Sequence, residues 1–277
     1  MHFFVIGSGR CGTTMLWKML NLSPDLFVFR ETHWHPKLFE HFGLGEGPPA
    51  EMLNIVERTC FVEGHPTTAI DDALRATLAT LGDSVSVRRF SDAIGQHFAA
   101  QAGKTVWADK TPDYASYLDT LQLLFSDTKI VHLVRDGRDV ARSMSYHPGY
   151  RWLATAGEVA WAPGSFNGYA SAITAEASTP LGVYATLWRR RIQLARDGAT
   201  RLAPGAYREY RYEDLLARPS EMLKDMAQFV DIPLTPQWLE QAALIPDPAK
   251  LAPSSGPEVP MGPAEIELQA DLGYGAA

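Results

Sequence analysis

The sequence predicts a single α/β domain over residues 1–277, with a central parallel sheet flanked by helices. Three observations carry this expectation. The chain opens with a strand, a glycine-rich loop and a helix; short runs rich in Val, Ile and Phe then alternate with helical patterning; and 277 residues suffice to bury one full core.

The first β-prone run, HFFVIG, breaks at Gly7, and TTMLWKMLNL behind it spaces its apolar residues as a helix does. Further strands are expected at 26–30 (LFVFR), 104–109 (KTVWAD) and 129–134 (KIVHLV), each rich in Val, Ile or Phe as buried parallel strands are, and another around 206–212 (AYREYRY). Helices are expected near 50–60, 69–81, 88–102, 113–125, 182–197 and 219–230, the last stopping before Pro233. Strands alternating with helices imply parallel crossovers. Residues 146–180 lose all periodicity among Gly, Pro, Trp and Tyr and are expected to form a lid or loop on the acceptor side. Residues 246–277 are expected to be an irregular tail.

The charge balance, 25 Lys and Arg against 32 Asp and Glu for a net −7, disfavours a nucleic-acid or anionic-membrane binder, so any anion site is local. Two cysteines, Cys11 and Cys60, are too few for a secreted disulfide scaffold, and the apolar N-terminal run is too short for a signal segment or a spanning helix. A cytoplasmic location is expected. The sequence does not specify an oligomeric state.

GSGRCGTT (7–14) stands between strand and helix, where bare backbone N–H groups and a helix N-terminus hold phosphate. The fold expected is therefore P-loop NTPase-like. The ATP-binding form of this loop has Lys where Thr13 stands; here the cation is Arg10, which weakens a kinase reading. A second anion site is read in KIVHLVRDGRDVARSM (129–144), where Arg135 at a strand end and Ser143 on the following helix are placed to converge on one phosphate. A solvated helix start, with Asp136 and Asp139 pairing Arg138 and Arg142, is the plain alternative.

Together these two motifs resemble the superfamily of sulfotransferases that use 3′-phosphoadenosine 5′-phosphosulfate (PAPS). The resemblance covers residues 3–232, and the Arg in the loop looks closer to the tyrosylprotein, carbohydrate and bacterial branches than to the cytosolic aryl and steroid enzymes. It implies that Gly9, Arg10, Cys11, Gly12, Thr13 and Thr14 hold the 5′ end of PAPS. It implies that Arg135 and Ser143 hold the 3′-phosphate, and that Tyr212, in RYEDLLARP (211–219), lies at the adenine. The C-terminal Arg-Lys-Gly motif of the cytosolic enzymes is missing, and Ser254 or Ser255 is the candidate substitute.

The resemblance also implies in-line sulfuryl transfer with no metal required. Arg10 and Lys110, the latter in WADKTP at a strand end, would stabilise the leaving group. Glu31, 21 positions after Arg10, would be the general base, with His33 and His35 as competitors. Two His two apart without helical spacing make a poor metal site. The expected acceptor is a small molecule bearing a hydroxyl or amine, since no basic patch awaits an acidic peptide. A P-loop kinase using ATP and a non-catalytic nucleotide-binding protein stay open as alternatives.

Overall fold

The computed structural model describes residues 3–63, 70–157, 179–252 and 255–275. Five parallel strands form the main sheet: β1 (Phe3–Gly7), β2 (Leu26–Arg30), β5 (Val106–Lys110), β6 (Lys129–Val134) and β7 (Tyr207–Arg211), in the order β2-β5-β1-β6-β7. A two-residue antiparallel pair, β3 (Glu46–Gly47) with β4 (Val85–Ser86), lies apart from it. The first strand is thus central, with β5 on one side and β6 on the other. The crossovers reverse direction there, and in open parallel sheets the crevice at the carboxyl ends of such strands is where ligands bind.

Alternation along β1 fills both faces of the sheet. Phe4 and Ile6 join a cluster with Phe29, Trp34, Trp107 and Phe125, while Phe3 and Val5 join one with Val28, Val131, Leu223 and Trp238. The helices covering the first face include α2 (Trp34–Phe42), α3 (Pro49–Glu63), α4 (Asp72–Ala79), α5 (Val87–Gln101) and α6 (Leu118–Leu124). The second face is covered by α1 (Thr13–Asn21), α11 (Pro219–Val230) and α12 (Pro236–Ala243). A third cluster joins α7 (Gly137–Ser145), α8 (Pro148–Ala156), α9 (Leu181–Ala199) and α13 (Pro263–Asp271) around Cys11, Trp188 and Tyr184. No described helix is long and apolar enough to cross a membrane.

The expected strands all form, within two residues of their expected ends. Several helices were not expected. α8 occupies the start of the segment read as irregular, beginning at Pro148 and burying Tyr150, Leu153 and Ala154. Proline there is a helix start, because the first-turn N–H groups have no intrahelical partner to lose. The rest of the expected lid, 158–178, lies outside the described residues. α2 carries Pro36 in its first turn for the same reason. The span 113–125 is a 3-10 turn (Pro112–Ser116) followed by α6 rather than one helix.

The tail is not irregular throughout. A 3-10 turn (Pro248–Leu251) and α13 are built there. Gln269 on α13 accepts from the Gly137 N–H at 2.8 Å and donates to Asp136 at 2.8 Å, so the tail clasps the turn between β6 and α7. Tyr274 donates to Glu213 at 2.7 Å, tying the same segment to the start of α10 (Tyr212–Ala217).

Candidate active site

Gly12 sits at the N-cap of α1 with φ +97°, and no side chain caps that helix. Its missing Cβ is required twice, by the left-handed backbone and by the Tyr212 ring, which a Cβ would approach to 2.2 Å. At Gly9, φ +80°, a Cβ would lie 1.6 Å from the Tyr150 hydroxyl. The loop is thus pressed between two tyrosines, one from α8 and one from α10. Cys11 turns inward as a buried free thiol packed in the third core cluster, and burial pushes its ionisation up. Its side chain faces away from the cleft, leaving its backbone as the part near an anion.

Across β1, α7 brings up the second motif. Asp136 caps α7 by accepting from the N–H of Arg138 at 2.8 Å and of Asp139 at 3.3 Å, so part of the acidic turn has the plain capping role. Ser143, farther along that helix, accepts from Arg10 Nε at 3.1 Å. Arg135 donates to the Arg10 carbonyl at 3.4 Å and to Asp139 at 3.1 Å, and its guanidinium lies 4.6 Å from the centre of the Tyr212 ring. Burial raises the Tyr212 phenol above its ordinary range, against the opposing pull of Arg135, so it stays neutral near pH 7. The two anion motifs are therefore not separate pockets. They touch, and they line one cleft of about 790 Å³ together with Thr13, Thr14 and Glu31. That volume lies within the range of about 300–1,000 Å³ common for small-molecule sites.

Glu31 leaves β2 with φ +58°, and His33 two residues on has φ +56°; Arg10 has φ +54°. Among the described residues, three of the four non-glycine positive-φ positions are thus candidate site residues. Each left-handed non-glycine residue costs about 1–2 kcal/mol of backbone energy, which the surrounding contacts must offset. For Glu31 the hold is visible: its N–H donates to the Lys110 carbonyl at 2.7 Å, and its carboxylate accepts from the Lys110 ammonium.

Lys110 is wholly buried and stands behind Glu31 rather than on the cleft wall, whereas the Glu31 side chain keeps 17% exposure. Burial lowers the Lys110 ammonium below the ordinary lysine range, and the Glu31 charge opposes that shift. His33 is turned toward Asp113, at 4.0 Å, and His35 is buried against Asp109 at 3.5 Å, so the two imidazoles diverge. Among the described residues, no group of three or more His, Cys, Asp or Glu is arranged to hold a metal ion.

Sequence reasoning missed several cleft residues. His147 and Tyr150 come from the segment read as irregular; their rings are 5.3 Å apart, and burial, then Arg10, lower the imidazole below its ordinary range. α7 ends at Ser145 and α8 begins at Pro148, so helical spacing from Ser143 does not reach them, and the aromatic content of the segment was the available signal. Lys18 and Arg30 also line the cleft, as do Asp247 and Lys250 from the tail. Ser254 lies outside the described residues, and Ser255 is exposed and not among the cleft-lining residues.

Comparisons with known proteins agree with this architecture. Carbohydrate sulfotransferase 6 of Homo sapiens is 24% identical over 269 residues, covering 86% of this chain and 65% of that protein. Nodulation protein NoeE of Sinorhizobium fredii (strain NBRC 101917 / NGR234) is 31% identical over 143 residues, covering 51% of this chain and 30% of that protein. This chain therefore matches less than two thirds of either relative's length. The sulfotransferase domain from the curacin biosynthetic pathway shares the fold with a TM-score of 0.61 and 20% identity, over 99% of this chain and 98% of that one. The sulfotransferase domain of the Synechococcus PCC 7002 olefin synthase does so with a TM-score of 0.62 and 19% identity, over 100% and 96%. The family model described as "Sulfotransferase family" matches residues 2–236, from the first strand through both anion motifs and β7, and the chain belongs to that family.

Proposed function

We propose that this chain transfers a sulfuryl group from PAPS to a hydroxyl or amine of a small-molecule acceptor. The observation that carries the reading is the convergence of Arg10, Ser143 and Arg135 in the cleft that also receives Glu31. The residues fit the donor: an uncapped helix N-terminus and Arg10 suit the 5′-phosphosulfate, Arg135 suits a second phosphate, and the Tyr212 face offers a surface for a base.

When bound, PAPS supplies an activated sulfur whose bond to the 5′-phosphate oxygen breaks as the acceptor oxygen or nitrogen bonds to it. Arg10 and the first turn of α1 take up the negative charge that develops on the departing phosphate. Glu31 accepts the proton that the acceptor loses, and the Lys110 ammonium, donating to that carboxylate, keeps it aimed. Thr13, standing where ATP-binding loops carry Lys, disfavours phosphoryl transfer.

The test is transfer of labelled sulfate from PAPS to a panel of phenols, sugars and amines, sugars being included because one relative is named a carbohydrate sulfotransferase. Alongside it, 3′-phosphoadenosine 5′-phosphate (PAP) at about 100 times its Kd is expected to stabilise the protein by about 2.7 kcal/mol. A larger stabilisation by ATP with Mg²⁺ would overturn the proposal in favour of a kinase. Binding of PAP without transfer to any panel member or to water would leave a nucleotide-binding protein.

A further inference from the structure

Beneath the Glu31–Lys110 pair lies a set of buried polar groups that the proposed reaction does not use. Asp109, on β5, is wholly buried, and among the described residues no Lys or Arg is bonded to it. A buried carboxylate is expensive unless its oxygens are satisfied, and here two hydroxyls and an imidazole surround it. Thr32 donates to one oxygen and Thr111 to the other, the latter at 2.7 Å, with His35 Nε2 3.5 Å away.

These threonines directly follow Glu31 and Lys110. β2 and β5 pair in register up to Arg30 opposite Lys110, and the Glu31 N–H adds one more ladder bond. The left-handed turn at Glu31 then breaks the ladder geometry. The Thr32 N–H is caught instead by the Thr111 hydroxyl oxygen at 2.9 Å. An ionised carboxylate only accepts, so Asp109 obliges both hydroxyls to point their protons at it. That polarity leaves a Thr111 lone pair for the Thr32 N–H, and leaves Thr32 to accept from Tyr114 at 2.8 Å. Burial, reinforced by the Asp109 charge, holds the Tyr114 phenol well above its ordinary range, so it remains a donor.

We propose that Asp109 is a positioning residue for the Glu31–Lys110 pair, holding Glu31 in its left-handed conformation and aimed at the acceptor through the hydroxyls of Thr32 and Thr111. This rests on the reading of Glu31 as the base. The carboxylate also acts through its charge. The charged groups facing Lys110 are Glu31 and Arg30 from the end of β2 and Asp109 from its own strand, with His35 of α2 facing Asp109. Glu31 and Asp109 favour the ammonium and Arg30 opposes it, so loss of the Asp109 charge makes Lys110 easier to deprotonate.

The test uses Asp109→Asn, Thr32→Val and Thr32→Ser, with turnover normalised to PAP-binding sites so that misfolded protein does not count. Asp109→Asn and Thr32→Val are expected to lower kcat by roughly 10- to 100-fold, as small misplacements of a reacting group do, with PAP affinity within about threefold of wild type. Thr32→Ser, which keeps the hydroxyl, is expected to restore most of the rate. Independently of turnover, the NMR titration of the Lys110 side chain, assigned with Lys110→Arg, is expected to shift to lower pH in Asp109→Asn. The Glu31 backbone shifts are expected to move in Thr32→Val and not in Thr32→Ser. Unchanged kcat per site in Asp109→Asn and Thr32→Val, or an unmoved Lys110 titration, overturns the proposal. If Asp109→Asn does not fold, the Thr32 pair decides it. If wild type transfers sulfate to nothing, the functional reading fails while the titration and the Glu31 shifts still decide the positioning role.

Discussion

Arg10 and Ser143 belong to different motifs 133 residues apart, yet they share a hydrogen bond of 3.1 Å, and that contact makes a quantitative prediction. Arg10→Ala removes a charged donor from the phosphosulfate site, a loss of about 1.5–3 kcal/mol, or roughly 10- to 150-fold in PAP affinity. Ser143→Ala removes a neutral hydrogen bond of about 0.5–1.5 kcal/mol, or roughly 2- to 13-fold. Independent sites would multiply these factors. Residues in direct contact do not, and a coupling of at least about 0.5 kcal/mol is expected. The double variant should therefore depart from the product of the single ones by about twofold or more. Isothermal titration with PAP at one fixed salt concentration measures all four affinities. The reasoning is refuted if Arg10→Ala binds PAP like wild type, or if the two effects multiply within error. An alanine at position 10 inherits the same left-handed strain, so relief of strain does not confuse the result.

Glu31→Gln keeps the shape of the base without its charge and is expected to reduce kcat by about 10²-fold or more in a sulfate-transfer assay, with PAP affinity retained; equal loss of both would mark Glu31 as structural. A third expectation concerns acid stability. Burial works to raise the Glu209 carboxyl, but bonds from Arg196, His132 and Tyr207 outweigh it and hold the group well below the ordinary carboxylate range. A carboxyl depressed in the folded state contributes stability that is present above its unfolded value of about 4.5 and is lost as pH falls through its folded value. Urea unfolding between pH 7 and pH 3 should therefore show a shallower acid decline for Glu209→Gln than for wild type, starting from a lower stability at pH 7.

The strands, the glycine loop and the strand–helix segment carrying Arg135 and Ser143 were legible as structure because their signals are local: an apolar run stopped by glycine, and an Arg at a strand end followed by a helical Ser. α2, α8, α12 and α13 were not legible, because each has only 8 or 9 residues and carries proline in its first turn, whereas α3 and α11, which also start at proline, run for 15 and 12 residues and let the helical period show. Lys110 reads as a strand-end cation placed at the leaving group. Its burial follows from β5 lying between β2 and β1, a pairing across some 80 residues that no local pattern carries. The contact between Arg10 and Ser143 is likewise a product of strand order, since β1 and β6 are neighbours only in the folded sheet.

The left-handed backbone at positions 10, 31 and 33 sets this protein's own trade-off between robustness and work. Glycine at position 10 or 33 would relax the chain by about 1 kcal/mol and raise the melting temperature by a few degrees, whereas at position 31 it would strip the buried Lys110 ammonium of its carboxylate. A heat-resistance screen blind to turnover would be drawn to those codons, enriching sturdier proteins stripped of the groups that the cleft exists to present.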